Sequence, residues 1–314
     1  MNTLIPPFDW DSGVLAPWTS DFDSSRWILL MGFFVTAACG LLGNFLLLRR
    51  LALIGDAISH SILPGLALAF ITFKTVSIWA SFTGAVLAAL ATVAVIEFIH
   101  RHSRVKPDAA ICIAFTTFFA LGVALVSMLE SKGSIHIDAD CVLYGEIAFV
   151  PLEETFQLFG HDFGPVSVAR MGVMLCVVLA AIIVFYKELL LTSFDAALAR
   201  SLGMNTALWH YGLMGMLALV VVCSFEAVGA ILAVAMLIVP PMFAAQLSQH
   251  LPSRLAITVL HAAVSSVLGL HLSLWLRCST AAAMVVAGAG MFVAVWGWSW
   301  ARQRVWKPTY HAAA

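Results

Sequence analysis

The chain has 314 residues, of which 62% are hydrophobic and only 11% are charged. Ordinary soluble domains carry roughly a quarter of charged residues, so this composition excludes a soluble globular protein. The formal net charge of −1 gives no indication of a nucleic-acid partner. Several runs of about 20 apolar residues are long enough to cross a hydrocarbon core of roughly 30 Å, which predicts an all-α, polytopic integral membrane protein.

Residues 1–26 contain four aspartates and no cationic start before an apolar core, so they do not resemble a signal peptide. We predict that they form an extracytoplasmic tail, that 27–301 form one transmembrane domain, and that 302–314 form a cytoplasmic tail. Nine apolar runs within the transmembrane domain are predicted as spans, and eight is the alternative because 206–247 can be divided differently. The nine runs are 27–48, 53–73, 76–99, 109–129, 168–187, 206–223, 227–247, 255–276 and 280–300.

Lysine and arginine concentrate in cytoplasmic loops of membrane proteins, which predicts an orientation. With the N-terminus outside and the C-terminus inside, eleven of the sixteen basic residues are cytoplasmic and five are outside. This arrangement needs an odd number of crossings, and an even number requires one re-entrant apolar run. The cytoplasmic set is Arg49, Arg50, Arg101, Arg104, Lys106, Lys187, Arg200, Arg254, Arg302, Arg304 and Lys307.

Two connections between spans carry their own patterns. The outer segment 130–167 holds seven acids and a semi-apolar piece, CVLYGEIAFVP, which is too short to span and is predicted to lie on the outer face. In the cytoplasmic segment SFDAALARSLGMN at 193–205, Phe194, Leu198 and Leu202 recur every four residues, and Gly203 is a helix-stop signal. This predicts one short amphipathic helix that lies on the lipid surface or docks into a partner.

The stretch GDAISHSILPG at 55–65 places an acid and a histidine four residues apart, on one helical face. Asp56 and His60 offer a carboxylate oxygen and an imidazole nitrogen, a ligand set for Mn²⁺, Fe²⁺ or Zn²⁺. Pro64 loosens the same helix and would free backbone carbonyls for an ion. The alternatives are a simple Asp–His hydrogen bond within the bundle and an aspartate that caps the helix.

The same helix carries small residues at every fourth position, Ala57, Ser61, Gly65 and Ala69, which favour close packing of a second helix. Glu226, between two later spans, is a weaker candidate ligand at the outer mouth, where a solvated turn is the alternative. The sequence contains no GxxxxGK[ST] motif, so we predict that the chain is not an enzyme and does not itself bind ATP through a P-loop.

Five segments together resemble the ABC-3 family of permeases, which carry manganese, zinc or iron into bacteria. RRLALIGDAISHSILPG resembles the family's signature, and DADCVLYGEIAFVP at 138–151 resembles its outer segment in the form found in manganese and iron members. The other three are VKPDAAICIAFTTFFALGVAL at 105–125, SFDAALARSLGMN at 193–205 and VGAILAVAMLIVPPMFAAQL at 228–247, in which Pro240-Pro241 departs from the single proline expected.

The resemblance implies the permease subunit of an ATP-driven metal importer in the bacterial inner membrane, with a fold like that of type II ABC importers. Its partners would be a cytoplasmic ATPase, an extracytoplasmic metal-binding protein, and a second permease copy or paralogue. No permanently bound cofactor is implied, only the transported metal. Asp56 and His60 match the family's metal pathway. The ATPase-coupling helix is matched by Phe194, Asp195, Leu198, Ala199, Leu202 and Gly203.

Two other classes remain open from the residues alone. A proton-coupled secondary transporter would need coupling acids deep within its spans, and Asp56 is the only clear candidate. A membrane-embedded metalloenzyme would need three or more convergent ligands with an activating acid or base, whereas the sequence offers one plausible pair.

Overall fold

The computed structural model describes residues 6–73, 78–131, 147–158 and 161–305. Within these ranges the chain forms ten α-helices and one antiparallel pair of short strands, β1 (Thr155–Leu158) and β2 (His161–Pro165). The helices are α1 (Phe22–Leu48), α2 (Ile54–Phe73), α3 (Ile78–His102), α4 (Pro107–Ser131), α5 (Val166–Val184), α6 (Tyr186–Phe194), α7 (Ala196–Ser201), α8 (Thr206–Leu247), α9 (Leu251–Leu276) and α10 (Thr280–Val305).

Eight described helices are long and apolar enough to cross a membrane, which agrees with the lower of the two predicted counts. The runs predicted as spans six and seven are both in α8, which is 42 residues long and bends at Gly229. Gly229 has φ 74° and ψ 170°, a backbone conformation that essentially only glycine adopts. We call the two parts α8a (Thr206–Phe225) and α8b (Ala233–Leu247), and α8b is shorter than a membrane span.

The two ends of the bundle differ in charge. We call the end where α1 and α3 finish and α8a starts the basic end, because Arg49, Arg50, Arg101 and Arg200 surround one cleft there. α8 also finishes at this end, because α9 follows it after a short connection and Thr258, near the start of α9, accepts a hydrogen bond from Asn44 near the end of α1. α8b therefore runs back to the basic end, although it is shorter than a membrane span. With an even number of eight spans, a short returning segment of this kind is needed for the chain to begin and end on opposite sides.

The described chain begins at the opposite end of the bundle. α1 starts at Phe22, five residues earlier than its predicted span, and the residues before it pack on the last turns of α9. Trp18 Nε1 donates to His271 Nε2 at 3.3 Å, and His271 Nδ1 lies 2.9 Å from the Gly13 carbonyl oxygen. Much of the predicted tail at 1–26 is thus folded against the bundle.

The predicted outer segment is described only in part, since residues 132–146 lie outside the described ranges. Its following piece, Ile147–Leu152, is a 3-10 helix with Ile147 and Val150 buried. The Glu153 carboxylate accepts a hydrogen bond from the Ser167 amide in the first turn of α5. This end of the bundle is therefore closed by short, non-spanning elements, with an acid stabilising a helix start.

Helix α2 lies between α3, α4 and α8b, and small residues set these contacts. The backbones of α2 and α3 cross at Gly65 and Gly84, where a Cβ added to Gly65 would overlap the Gly84 carbonyl oxygen. Ala69 Cβ lies 2.7 Å from the position of a Cβ on Gly84, while Ala57 and Ser61 are buried. On the α4 side, Pro64 packs against Gly122. This packing fixes how α2 presents its remaining face.

Candidate metal pathway and coupling surface

The acid and the histidine of α2 lie close together near the basic end. Asp56 Oδ1 is 3.3 Å from His60 Nε2. The Asp56 side chain is 40% exposed and the His60 side chain 17% exposed, so an ion could approach the pair from the Asp56 side. His60 lies roughly 9 Å along the helix axis from the first residue of α2, at 1.5 Å per residue. Asp56 therefore lies in the first turn of α2 and His60 in the second, both in the third of the helix nearest the basic end.

Two aromatic side chains of α4 hold the imidazole in place. The ring centroids of Phe115 and Phe119 lie 5.0 Å and 5.3 Å from that of His60. His60 Nδ1 is buried and has no hydrogen-bond partner among the described residues. Metal-binding histidines usually donate this second nitrogen to an oxygen. Here the two phenyl rings orient the imidazole, and Nε2, which faces Asp56, is the nitrogen available to an ion.

Pro64 adds an oxygen to the same region. A proline has no N–H, so the carbonyl of the residue four positions earlier loses its helical partner. In α2 that residue is His60. The chain therefore offers one imidazole nitrogen, one carboxylate and one released backbone carbonyl along a single turn of helix.

The number of side-chain ligands in one chain is low. Among the described residues, no group of three or more His, Cys, Asp or Glu side chains could hold a metal ion. The side chain of Glu226 lies outside the described part of the structure, so its predicted role stays a prediction. A metalloenzyme with three convergent ligands gains no support from the described residues.

The amphipathic helix predicted over 193–205 is shorter in the structure. Asp195 is extended (φ −146°, ψ 92°) and breaks the segment, so Phe194 ends α6 and α7 covers only Ala196–Ser201. The break arises because the Asp195 carboxylate accepts the amides of Ala197 and Leu198, which caps a new helix.

The far end of α7 closes on Gly203, which has φ 82°. The Met204 amide bonds to the Ala199 carbonyl and the Gly203 amide to the Arg200 carbonyl, the pairing of a Schellman motif. Phe194, Leu198 and Leu202 are all exposed, at 61%, 47% and 64%. Ala199 is fully buried. α7 therefore packs on the bundle through Ala199, and three large apolar side chains around it stay exposed.

Removing the cap should loosen α7. For Asp195→Ala we expect a loss of about 1 kcal/mol of local helix stability, because two amides lose their acceptor. Hydrogen exchange at the amides of Ala197 and Leu198 measures this loss as faster exchange. Asp195→Asn should exchange like the wild type, since asparagine caps equally well. Unchanged exchange in the alanine variant would contradict the capping account.

A polar network at the basic end was not predicted. Arg49 Nε and Nη2 donate to Ser193 Oγ and Thr192 Oγ1, each at 3.0 Å, and Arg49 Nη1 lies 3.4 Å from His210 Nδ1. His210 Nε2 lies 3.4 Å from Glu97 Oε2, and Glu97 also pairs with Arg101. The Glu97–Arg101 pair is local, one helical turn apart, but nothing in the sequence indicates that Glu97 also contacts His210, which is more than a hundred residues away along the chain.

Eight membrane-length helices packed into one bundle define the chain as a multi-pass helical membrane protein. The sequence pattern of the ABC 3 transport family matches residues 21–298, so the chain belongs to that family. It is a membrane permease of the ABC type, and this assignment excludes the proton-coupled secondary transporter that the residues alone left open.

Known proteins of similar sequence and structure agree with the family. The manganese transport system membrane protein MntD of Bacillus subtilis is 41% identical over 258 residues, which cover 82% of this chain and 86% of MntD. The zinc transport system membrane protein TroD of Treponema pallidum is 38% identical, covering 86% of this chain and 72% of TroD. A chain of the structure titled PsaBC from Streptococcus pneumoniae in complex with Fab superposes with a TM-score of 0.73 at 31% identity, covering 90% of this chain and 94% of that one.

Proposed function

We propose that this chain is the membrane-spanning subunit of an ATP-driven importer of divalent transition metal ions, and that Asp56 and His60 line the route of the ion. The observation that carries the proposal is an exposed carboxylate 3.3 Å from an imidazole within a span of an ABC 3 permease. Ionisable residues inside spans are rare and tend to serve transport. The names of MntD and TroD, which transport manganese and zinc, support a metal as cargo.

Manganese or iron is the proposed cargo ahead of zinc. The support is the resemblance at 138–151 to manganese and iron members, together with the manganese named in MntD. One imidazole with carboxylate and carbonyl oxygens also suits Mn²⁺, which accepts oxygen ligands readily.

The basic end is proposed to face the cytoplasm. Arginines crowd this end, and short loops rich in lysine and arginine remain cytoplasmic. The described chain starts at the other end, which puts the N-terminus outside. α10 runs back toward the basic end, from Met284 beside Gly32 to Gly288 beside His261, which puts the C-terminus inside. α7 then lies at the cytoplasmic surface, where its exposed Phe194, Leu198 and Leu202 would contact a separate ATPase subunit. The acidic outer end would receive a metal-loaded binding protein.

A second permease chain is proposed to cover the Asp56 side. A carboxylate that is 40% exposed within a span is costly if it faces lipid. A second chain would shield it and supply the missing ligands. Two Asp–His pairs would then share one ion, which binds loosely enough in each chain to be released. The ligands must be deprotonated to bind, so His60 Nε2 serves as a lone-pair donor.

Transport by purified components tests this function. Proteoliposomes containing the permease, its ATPase and its binding protein should accumulate Mn²⁺ only when ATP is present on the ATPase side. Omitting the ATPase should stop accumulation. Accumulation that persists without the ATPase would contradict the proposal, as would ATP-dependent complexes that move none of Mn²⁺, Fe²⁺ or Zn²⁺.

A further inference from the structure

One arginine joins the segment that carries α7 to the start of the proposed ion pathway. Arg49 is the capping residue directly after α1, and its guanidinium donates to Thr192 and Ser193 near the end of α6. These two residues are buried, and Asp195, the cap of α7, follows two positions later. Arg49 therefore attaches the α6–α7 junction to the bundle through two hydrogen bonds from one planar group.

The same guanidinium reaches two further spans through His210. Arginine has no acceptor, so His210 Nδ1 must accept from Arg49, and Nε2 then carries the proton that faces Glu97. His210 belongs to α8a and Glu97 to α3. Glu97 is held in turn by Arg101. The network thus links the ends of α1, α3, α6 and α8a through charge-assisted hydrogen bonds.

Arg49 is also close to the proposed ion pathway along the chain. Four residues lie between it and Ile54, the first residue of α2, and both line the same cleft of about 630 Å³. Asp56 follows two positions later. α3, the helix that holds Glu97, crosses α2 at Gly65 and Gly84. A displacement of the α6–α7 junction would therefore reach α2 by two routes, through the short connection after Arg49 and through α3.

The half-buried position of Arg49 makes this connection stiff. Burial lowers the pKa of the Arg49 guanidinium from its ordinary value, but the group stays charged. A half-buried charge that loses a partner also loses stability, so the three partners of Arg49 are expected to move with it. Arg50 shows the contrast, because it is exposed and its side chain takes no part in this network.

We propose that Arg49 is a positioning residue that couples ATP-driven movement of the α6–α7 junction to the Asp56–His60 pair. This inference rests on the proposed function. Arg49 contacts neither the ion nor ATP in this account. It acts by keeping α1, α6 and α8a together, so that movement at α7 changes the geometry at the start of α2 and is not absorbed locally.

The test measures ATP hydrolysed per Mn²⁺ ion imported in proteoliposomes that contain the complete importer. For Arg49→Gln we expect hydrolysis to continue while import falls, which raises this ratio by about fivefold or more, the low end of measured coupling between sites. Arg49→Lys keeps the charge but cannot hold three partners with one fork, so its ratio should lie in between. Arg50→Gln removes the same charge from the same cleft and should keep the wild-type ratio.

The ratio separates coupling from a merely structural role. If Arg49 only stabilised the fold, both variants would lose hydrolysis and import in proportion, and the ratio would stay at the wild-type value. That result would overturn the inference, as would an equal change in Arg50→Gln. The wild-type importer keeps the two proposals apart: if it moves none of Mn²⁺, Fe²⁺ and Zn²⁺, the proposed function is wrong, whereas a coupled Arg49→Gln importer contradicts only the role of Arg49.

Discussion

Metal import should fall by at least about tenfold in both Asp56→Ala and His60→Ala, with normal amounts of the protein in the membrane. Loss of a residue that merely orients a metal ligand already costs roughly 10- to 100-fold, and these side chains are the proposed ligands themselves. Asp56 is partly exposed, and among the described residues its side chain pairs with His60 alone, so its removal should leave the packing of α2 intact. Uptake of Mn²⁺ by cells, normalised to permease abundance, measures the effect.

A matched histidine provides the control. His102 is the last residue of α3 and is exposed. Among the described residues, its only hydrogen-bond partner is the Phe98 carbonyl. His102→Ala should import at the wild-type rate. If His60→Ala also imports normally while its abundance is unchanged, then His60 is a packing residue against Phe115 and Phe119, and the pathway assignment is wrong.

A leucine at Gly65 should destabilise the bundle, because the crossing of α2 and α3 leaves no room for a side chain. A Cβ at this position would overlap the carbonyl oxygen of Gly84 and lie 2.7 Å from Ala88 Cβ. Overpacking commonly costs about 1–3 kcal/mol, and a backbone obstacle puts this site at the upper end. The midpoint of thermal unfolding of the purified protein in detergent should fall, with less protein in the membrane.

The control is a glycine with free space. A Cβ at Gly212 in α8a would meet no atom within 4 Å, so Gly212→Ala should hold or raise the unfolding midpoint through its better helix propensity. An unchanged midpoint in Gly65→Leu would mean that α2 and α3 can separate at little cost. The close crossing would then not be the feature that orients Asp56 and His60.

Hydropathy was sufficient to predict most of the fold, because crossing a bilayer requires a run of apolar residues that is visible in any sequence. The helix at Ile54–Phe73 falls almost where the run 53–73 predicted it. The division of 206–247 was harder, since hydropathy does not distinguish a second span from a short returning helix. The bend depends on the φ of Gly229, one glycine in an apolar stretch that holds several small residues.

The arrangement of the candidate site was predictable only where its residues are close together in the sequence. Asp56 and His60 share a helical face because they are four residues apart, and that spacing can be read from the sequence. The contacts of His60 with Phe115 and Phe119 depend on how α2 packs on α4. The Arg49–His210 contact joins residues 161 positions apart. In 193–205 the periodicity favoured one helix, but the capping carboxylate of Asp195 competed successfully for the backbone amides.

Binding of Mn²⁺ to the purified permease tests the central claim most directly, because it asks whether the Asp56–His60 pair holds an ion. Equilibrium dialysis with radioactive Mn²⁺ should give one ion for every two permease chains in the wild type, and no such binding in His60→Ala. A stoichiometry of one ion per chain would contradict the shared site. Full binding in His60→Ala would contradict the assignment of the pair itself.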